Sequence, residues 1–282
     1  MKEMTKADYI YSVYKAIFYI EAHYADELSL EELAKIAGFS KYHFHRIFKT
    51  ITNENIGDYI RRVRLHHATW KLTTKDTVTH VALASGYETN ASFTKAFKHY
   101  FKITPKEFAD EFKKRQQGEK MLEPKIVELK PIKVLYVRKI GAYVTSASEA
   151  WAILMAFAYE QKIKFHKKIM NKNTMHFGIA HDNPHLIEAD LLRYDACISC
   201  EDITIEPRGE IFSKVLDGGK FAVFLHKGSY ENLKTTYDEI GHWIVHQGVN
   251  LRDTSMFEKY LNRDPRRTKP ENLRTEIFVP IA

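Results

Sequence analysis

The chain reads as two domains, an all-α N-terminal part followed by an α+β part. Three observations predict this. A short helix–turn–helix pattern occurs twice in residues 33–98, a polar stretch at 113–122 lacks apolar periodicity, and β-branched and aromatic runs dominate beyond it. A length of 282 residues is ample for two cores. The domains are accordingly placed at 1–112 and 123–282, with 113–122 as the linker.

The first helix is expected from about Asp8 to His23, with Ile10, Val13, Ile17 and Ile20 on one stripe. Ser29 and Glu32 have the spacing of a capping box for the second helix. Ser40 caps a third, from Lys41 to about Thr50, and a long fourth runs from about Ile56 to Thr73. Asp76 or Thr77 starts the fifth, and Thr89 or Asn90 the sixth. Thr104-Pro105-Lys106-Glu107 opens the seventh, with a capping threonine, a first-turn proline and a glutamate three residues on.

The repeated pattern is Leu33-Ala34-x-x-Ala37-Gly38-Phe39-Ser40, matched by Val81-Ala82-x-x-Ser85-Gly86-Tyr87-Glu88. Each glycine stands where a tight turn needs positive φ. Phe44 and Phe48, then Phe93 and Phe97, form the buried stripe of the helix that follows. A helix held this way enters the major groove of DNA. Tyr42, His45, Arg46 and Lys49 lie off the stripe in the first unit; Asn90, Ala91, Thr94, Lys95 and Lys98 do so in the second. Arg46 suits guanine, Asn90 adenine and Ala91 a thymine methyl, while Lys49, Lys98 and the Arg61-Arg62-x-Arg64 cluster suit phosphates. The fourth helix, roughly 27 Å long at about 1.5 Å per residue, separates two units meant for adjacent grooves about 34 Å apart. A chain carrying both units can read two stretches of DNA as a monomer or weak dimer.

These residues resemble a known family. L-A-K-I-A-G-F-S-K-Y-H-F-H-R-I-F-K, the second-unit run and the F-K-x6-P ending from Phe97 to Pro105 are similar to AraC/XylS-type transcriptional regulators over residues 8–112. The resemblance places base readers at Tyr42, His45, Arg46, Asn90, Ala91, Thr94 and Lys95, and implies RNA polymerase as a partner in activation. Many members carry tryptophan, glutamine or arginine at several of these positions, so the class is kept while the target sequence does not follow from it.

In the second part, K-V-L-Y-V-R, D-A-C-I-S-C and F-A-V-F-L-H read as strands, with helices at about 147–162 and 230–247. This part also looks duplicated. A strand and Gly-x-Tyr turn precede a helix carrying Trp151, Leu154, Phe157 and Gln161, then again one carrying Tyr237, Ile240, Trp243 and Gln247. A pseudo-twofold of this kind leaves a cleft between halves, a usual place for a small ligand. The only cysteines, Cys197 and Cys200, fall on a strand, where an offset of three separates their faces, so they read as small core residues.

Tyr194-Asp195-Ala196-Cys197, Gly218-Gly219-Lys220-Phe221-Ala222-Val223, Gly228-Ser229-Tyr230, Phe257-Glu258-Lys259-Tyr260 and the terminal L-R-T-E-I-F-V-P-I resemble the GyrI-like small-molecule-binding family over 123–282. The resemblance implies that Glu258 lies in an aromatic cleft and meets cationic or polar ligands. Independently, Glu258 and Tyr260 share one strand face, and a carboxylate beside aromatics offers a cation both charge pairing and cation–π contact. Trp151, Tyr143 and Tyr230 are further candidate ligand contacts, whereas helical spacing assigns Trp243 and Phe157 to the core. The competing reading of Glu258 is an ion pair with Arg252 or Arg263. The family also contains hydrolases of reactive alkylating compounds, so a hydrolase or a sequestering binder is the alternative function.

The surplus of basic residues sits where DNA reading requires it. Residues 1–120 carry 20 Lys+Arg against 15 Asp+Glu, and residues 121–282 carry 23 against 21. No apolar run approaches the roughly 18–20 residues of a membrane span, and no secretory signal opens the chain, so a cytoplasmic location is expected. His242 and His246 lie one turn apart but lack the glutamate of a zinc hydrolase, and His176, His181 and His185 fall in a loop-like region. No metal or cofactor is expected.

Overall fold

The computed structural model describes residues 5–73, 76–114, 122–161, 163, 174–200, 205–262 and 264–282. They fall into two units, Met1–Gln117 and Gly118–Ala282. The predicted linker lies largely outside the described residues.

The first unit contains, among the described residues, seven helices: α1 (Lys6–Ala22), α2 (Leu30–Ala37), α3 (Lys41–Thr52), α4 (Ile56–Leu72), α5 (Val78–Ala84), α6 (Asn90–Phe101) and α7 (Pro105–Lys114). α1 starts two residues earlier than expected because Thr5 and Asp8 form a reciprocal capping box. Ser29 accepts the Glu32 amide at 3.1 Å, but the reciprocal bond is missing because the Glu32 carboxylate accepts the Tyr19 hydroxyl at 2.7 Å. Ser40 stands at the N-cap of α3 without a side-chain bond, while Thr77 and Thr89 cap α5 and α6. Thr104 and Glu107 make both halves of their box. Each working cap contributes about 1 kcal/mol.

Gly38 and Gly86 end their helix–turn segments at φ 74° and 77°, the left-handed region that disfavours a side chain. The core is aromatic. Phe44 and Phe48 pack edge-on with Tyr59, and Phe93 and Phe97 with Phe101 and Phe108; all four stripe phenylalanines are fully buried. Burial of each is worth ~1.5–3 kcal/mol relative to exposure. That stripe fixes which side of α3 and α6 faces outward.

Among the described residues the second unit is a sheet with two α-helices and short 3-10 turns. Its elements are β1 (Lys125–Leu129), β2 (Ile132–Ile140), α8 (Tyr143–Glu160), β3 (His176–Ala180), β4 (Arg193–Ser199), β5 (Phe212–Leu216), β6 (Gly219–Lys227), α9 (Leu233–Gln247), β7 (Phe257–Tyr260) and β8 (Arg274–Pro280). The strands form one antiparallel sheet in the order β1-β6-β8-β7-β3-β4-β2-β5. Exchanging β1–β4 for β5–β8, strand by strand, gives the same order read from the other edge. β3 and β7 meet at the centre, with Gly178 opposite Glu258.

α8 packs on β2 and β4, and α9 on β6. α8 begins at Tyr143, a turn earlier than expected, because the amides of Thr145 and Ser146 bond to the Ala142 carbonyl. α9 begins at Leu233, preceded by a 3-10 turn at Tyr230–Asn232. Phe157 and Trp243 are core residues. Cys197 and Cys200 are buried and unbonded to each other, and burial pushes the Cys197 thiol up to about 12.

Candidate functional site

The central strands β3 and β7, with α8 and α9 above them, bring five sequence-predicted residues into one cluster. Period-two alternation in β7 puts Glu258 and Tyr260 on the same face, and the Tyr260 hydroxyl donates to Glu258 Oε2 at 2.6 Å. Tyr237, from α9, donates to Oε1 at 2.9 Å. Since its proton is committed to Glu258, Tyr260 accepts from the Tyr194 hydroxyl at 2.8 Å, and Tyr194 accepts from Trp151 Nε1 at 3.1 Å. The result is a one-way chain of donors from α8 to the carboxylate. Tyr230 stands edge-on to Tyr260 with ring centres 5.4 Å apart, Trp151 does so at 5.9 Å, and Tyr143 stands edge-on to Tyr194 at 6.2 Å.

Glu258 is only 4% exposed. Among the described residues no cation pairs with it, so burial dominates and pushes its pKa above the usual carboxylate range, against the pull of the two hydroxyls. Burial likewise raises Tyr143, Tyr194, Tyr237 and Tyr260, and Tyr230 to about 12, so all remain neutral phenols at physiological pH. The ion-pair reading fails for Arg252, whose guanidinium donates to the carbonyls of Ile281, Gly218 and Lys220. Arg263 lies outside the described residues.

Sequence reasoning missed Tyr194 and Tyr237 as members of this cluster, and missed Gly178. A Cβ at Gly178 would stand 2.2 Å from the Tyr260 hydroxyl and 2.6 Å from that of Tyr194. Glycine here makes room for the hydroxyl pair. Behind the cluster, Tyr143 donates to the Asp182 carbonyl at 2.6 Å, and the Asp182 carboxylate is held by Arg193 through Nε at 2.9 Å and Nη2 at 2.7 Å. Buried, forked pairing of this kind fixes the start of α8.

On the first unit, Tyr42 is 88% exposed at the start of α3. His45, Arg46 and Lys49 of α3 and Asn90, Ala91, Lys95 and Lys98 of α6 are exposed too; Thr94 is half-buried and donates to Asn90 Oδ1 at 3.2 Å. The Arg61-Arg62-x-Arg64 cluster is a correction. Arg62 is fully buried, bonded to Glu54 at 3.0 Å and lying over the Tyr59 ring, so it meets no phosphate. Arg61 pairs with Asp58 at 2.6 Å, and Arg64 is taken up by backbone carbonyls.

Of the three histidines expected in a loop, His176 is a correction, while His181 and His185 lie outside the strands. His176 lies in β3 with its ring 5.8 Å from Trp151, and His181 joins Arg138 and Lys214 around buried Asp195. The Arg138 and Lys214 charges hold Asp195 well below the usual carboxylate range, against its burial. Among the described residues no group of three or more His, Cys, Asp or Glu is placed to hold a metal ion, and no helix is long and apolar enough to cross a membrane.

Residues 122–282 match the GyrI-like small molecule binding domain, and residues 33–111 match a helix-turn-helix domain. The chain is 34% identical over 93 residues to the regulatory protein SoxS of Escherichia coli, covering 33% of this chain and 87% of SoxS. It is 38% identical over 90 residues to the transposon Tn10 TetD protein of Escherichia coli, covering 32% of this chain and 65% of TetD. It spans only 12% of the length of the matching HTH-type regulators of Staphylococcus aureus. Among solved structures, EcmrR in its DNA complex aligns over 89% of this chain and 98% of its own, with 15% identity and a TM-score of 0.49.

Proposed function

The chain belongs to the GyrI-like small-molecule-binding family, with an AraC-type helix-turn-helix domain on the same chain, and on that premise we propose a sequence-specific transcriptional regulator whose cleft senses a cationic, aromatic effector. The regulator is an activator acting in the cytoplasm on promoter DNA, with RNA polymerase as its partner. One observation carries the effector reading. A buried carboxylate that no cation pairs with among the described residues, beneath a ring of neutral aromatics, is balanced when a ligand supplies a positive charge. Trp151, Tyr143, Tyr230 and Tyr260 supply ring faces, and Glu258 the charge. The rings contact one another, so an effector enters by parting the half-buried ones.

The outward faces of α3 and α6 support the DNA reading. Among the described residues Arg46, Lys49, Lys95 and Lys98 make no ion pair within the chain, which leaves their charges available to DNA. Arg46→Ala is expected to weaken binding to a duplex selected by the full chain by roughly 1–3 kcal/mol, with little change on random DNA. Equal loss on both, measured by fluorescence anisotropy, contradicts base reading by Arg46.

The raised pKa of Glu258 favours a second reading, since a general base works best with a pKa brought toward the operating pH. In that reading the cleft hydrolyses, or simply sequesters, a toxic small molecule. Incubation of the chain with alkylating electrophiles separates the cases: released product marks turnover, and stoichiometric capture marks sequestration.

A further inference from the structure

One face of α4 grips both helix-turn-helix units. Arg64, His67 and Lys71 follow one another at spacings of three and four, which aligns them along the helix. Arg64 donates from Nε to the Tyr24 carbonyl and from Nη2 to the Asp26 carbonyl, both at 2.7 Å. His67 stacks on the Tyr24 ring, with centres 3.9 Å apart and planes 9° from parallel. Lys71 donates to the Tyr24 hydroxyl at 3.0 Å and to the Ala84 carbonyl at 3.1 Å.

Tyr24 to Asp26 belong to the loop that enters the first unit, whereas Ala84 ends the first helix of the second. Gly86 closes the arrangement. Its turn lies so near that loop that a Cβ would meet the Ala25 carbonyl oxygen at 2.7 Å. The two units are therefore joined a second time, beyond their covalent connection through α4, by contacts of the 24–26 loop with α4 and with the turn after α5.

We propose that this clasp sets the separation and orientation of the two reading helices, and that Arg64 and Gly86 are positioning residues for two-site DNA recognition. Arg64 acts through the loop, not on phosphate. A rigid pair of readers demands one spacing between its two DNA sites; a loosened pair tolerates several. The proposal rests on the DNA-reading function above, so its test also has a readout that needs no DNA.

The full chain first selects a two-site duplex from a random library, and a second duplex carries about half a helical turn, ~5 base pairs, inserted between the sites. Arg64→Met keeps the aliphatic stem and removes both hydrogen bonds. It is expected to bind the selected duplex about tenfold more weakly, while its affinity for the inserted duplex stays within about twofold of wild type. Gly86→Ala, which crowds Ala25 and also strains the turn at φ 77°, is expected to give the same loss of spacing discrimination. Equal loss on both duplexes with a lower salt slope makes Arg64 a phosphate contact and overturns the proposal.

Spin labels at exposed Thr50 and His99, read by pulsed electron spin resonance, give the second readout. A narrow distance distribution in wild type that broadens in Arg64→Met, with unchanged helical circular dichroism, supports the clasp; an unchanged distribution overturns it. Should Arg64→Met lose its helical signal, Arg64→Lys takes its place in both experiments. Should wild type select no duplex, the DNA-reading function fails and the spin-label distances alone decide the clasp.

Discussion

β3 and β7 lie side by side at the centre of the sheet and hold corresponding places in its two halves, yet their chemistry is opposite. Gly178 faces Glu258 across the pair, and each is backed by a corresponding residue, Ala196 on β4 and Ile277 on β8. Where β7 carries Tyr260 opposite Thr275, β3 carries Ala180 opposite Tyr194. One half supplies the charge and the other supplies the space in which its partners reach it. The matched framework sets the two strands side by side, and the departures from matching put the carboxylate on one of them only. A ligand at the proposed site would meet its anion on one side only.

The largest break in that comparison comes from Glu258→Gln, which removes the charge and keeps the shape. Affinity for a lipophilic aromatic cation is expected to fall by about 2–3 kcal/mol, while a neutral molecule of the same outline is held as before. Calorimetric titration of both ligands checks this. Equal effects on the two place Glu258 outside the ligand site.

Gly178→Ala attacks the other side. Its methyl group forces the Tyr194 and Tyr260 hydroxyls apart, since both lie well inside contact distance of the added carbon. A loss of ~1–2 kcal/mol in cation affinity is expected, the usual cost of overpacking a filled site. Thermal denaturation alongside the titration separates a local defect from a general one. An unchanged affinity shows that the hydroxyl pair is irrelevant to binding.

How much of this was legible in the sequence differs by region. The stripe of Phe44, Phe48, Phe93 and Phe97 and the shared face of Glu258 and Tyr260 follow from periodicity alone, because one period dictates one face. Tyr237 and Tyr194 were visible as repeat positions and motif members, but the Tyr237 hydroxyl meets Glu258 only through the placing of α9 against the sheet, and the Tyr194 hydroxyl meets Tyr260 only because β3 pairs with both β4 and β7. β3 was hidden for a different reason. His176-Phe177-Gly178-Ile179-Ala180 is short and has a glycine at its middle, which weakens any strand signal. Yet that glycine is there because two hydroxyls occupy the space of its missing side chain.

The arginines of α4 teach the same lesson from the opposite direction. Three basic residues in four positions look like a phosphate clamp, since local sequence shows charge without showing its partners. Glu54 lies eight residues before Arg62 and turns back onto it, and the Tyr24 loop reaches Arg64 from 40 residues away. Burial then settles the matter, because a guanidinium with no exposed surface cannot meet DNA. Arg46 and Lys49 of α3 and Lys95 and Lys98 of α6, by contrast, are exposed.

The asymmetric cleft is tested most directly by the pH dependence of ligand binding to the full chain. Burial raises the Glu258 pKa, so the protonated acid persists to higher pH than an ordinary glutamic acid would. Cation binding requires the ionised form. Affinity is therefore expected to be flat well above the raised pKa and to fall about tenfold per pH unit below it, with a neutral analogue flat throughout. Tryptophan fluorescence titrations from pH 8 down to about pH 4.5 read this out through Trp151. A cation affinity that stays level across that range, or that falls in step with the neutral analogue, contradicts a cleft built around the Glu258 charge.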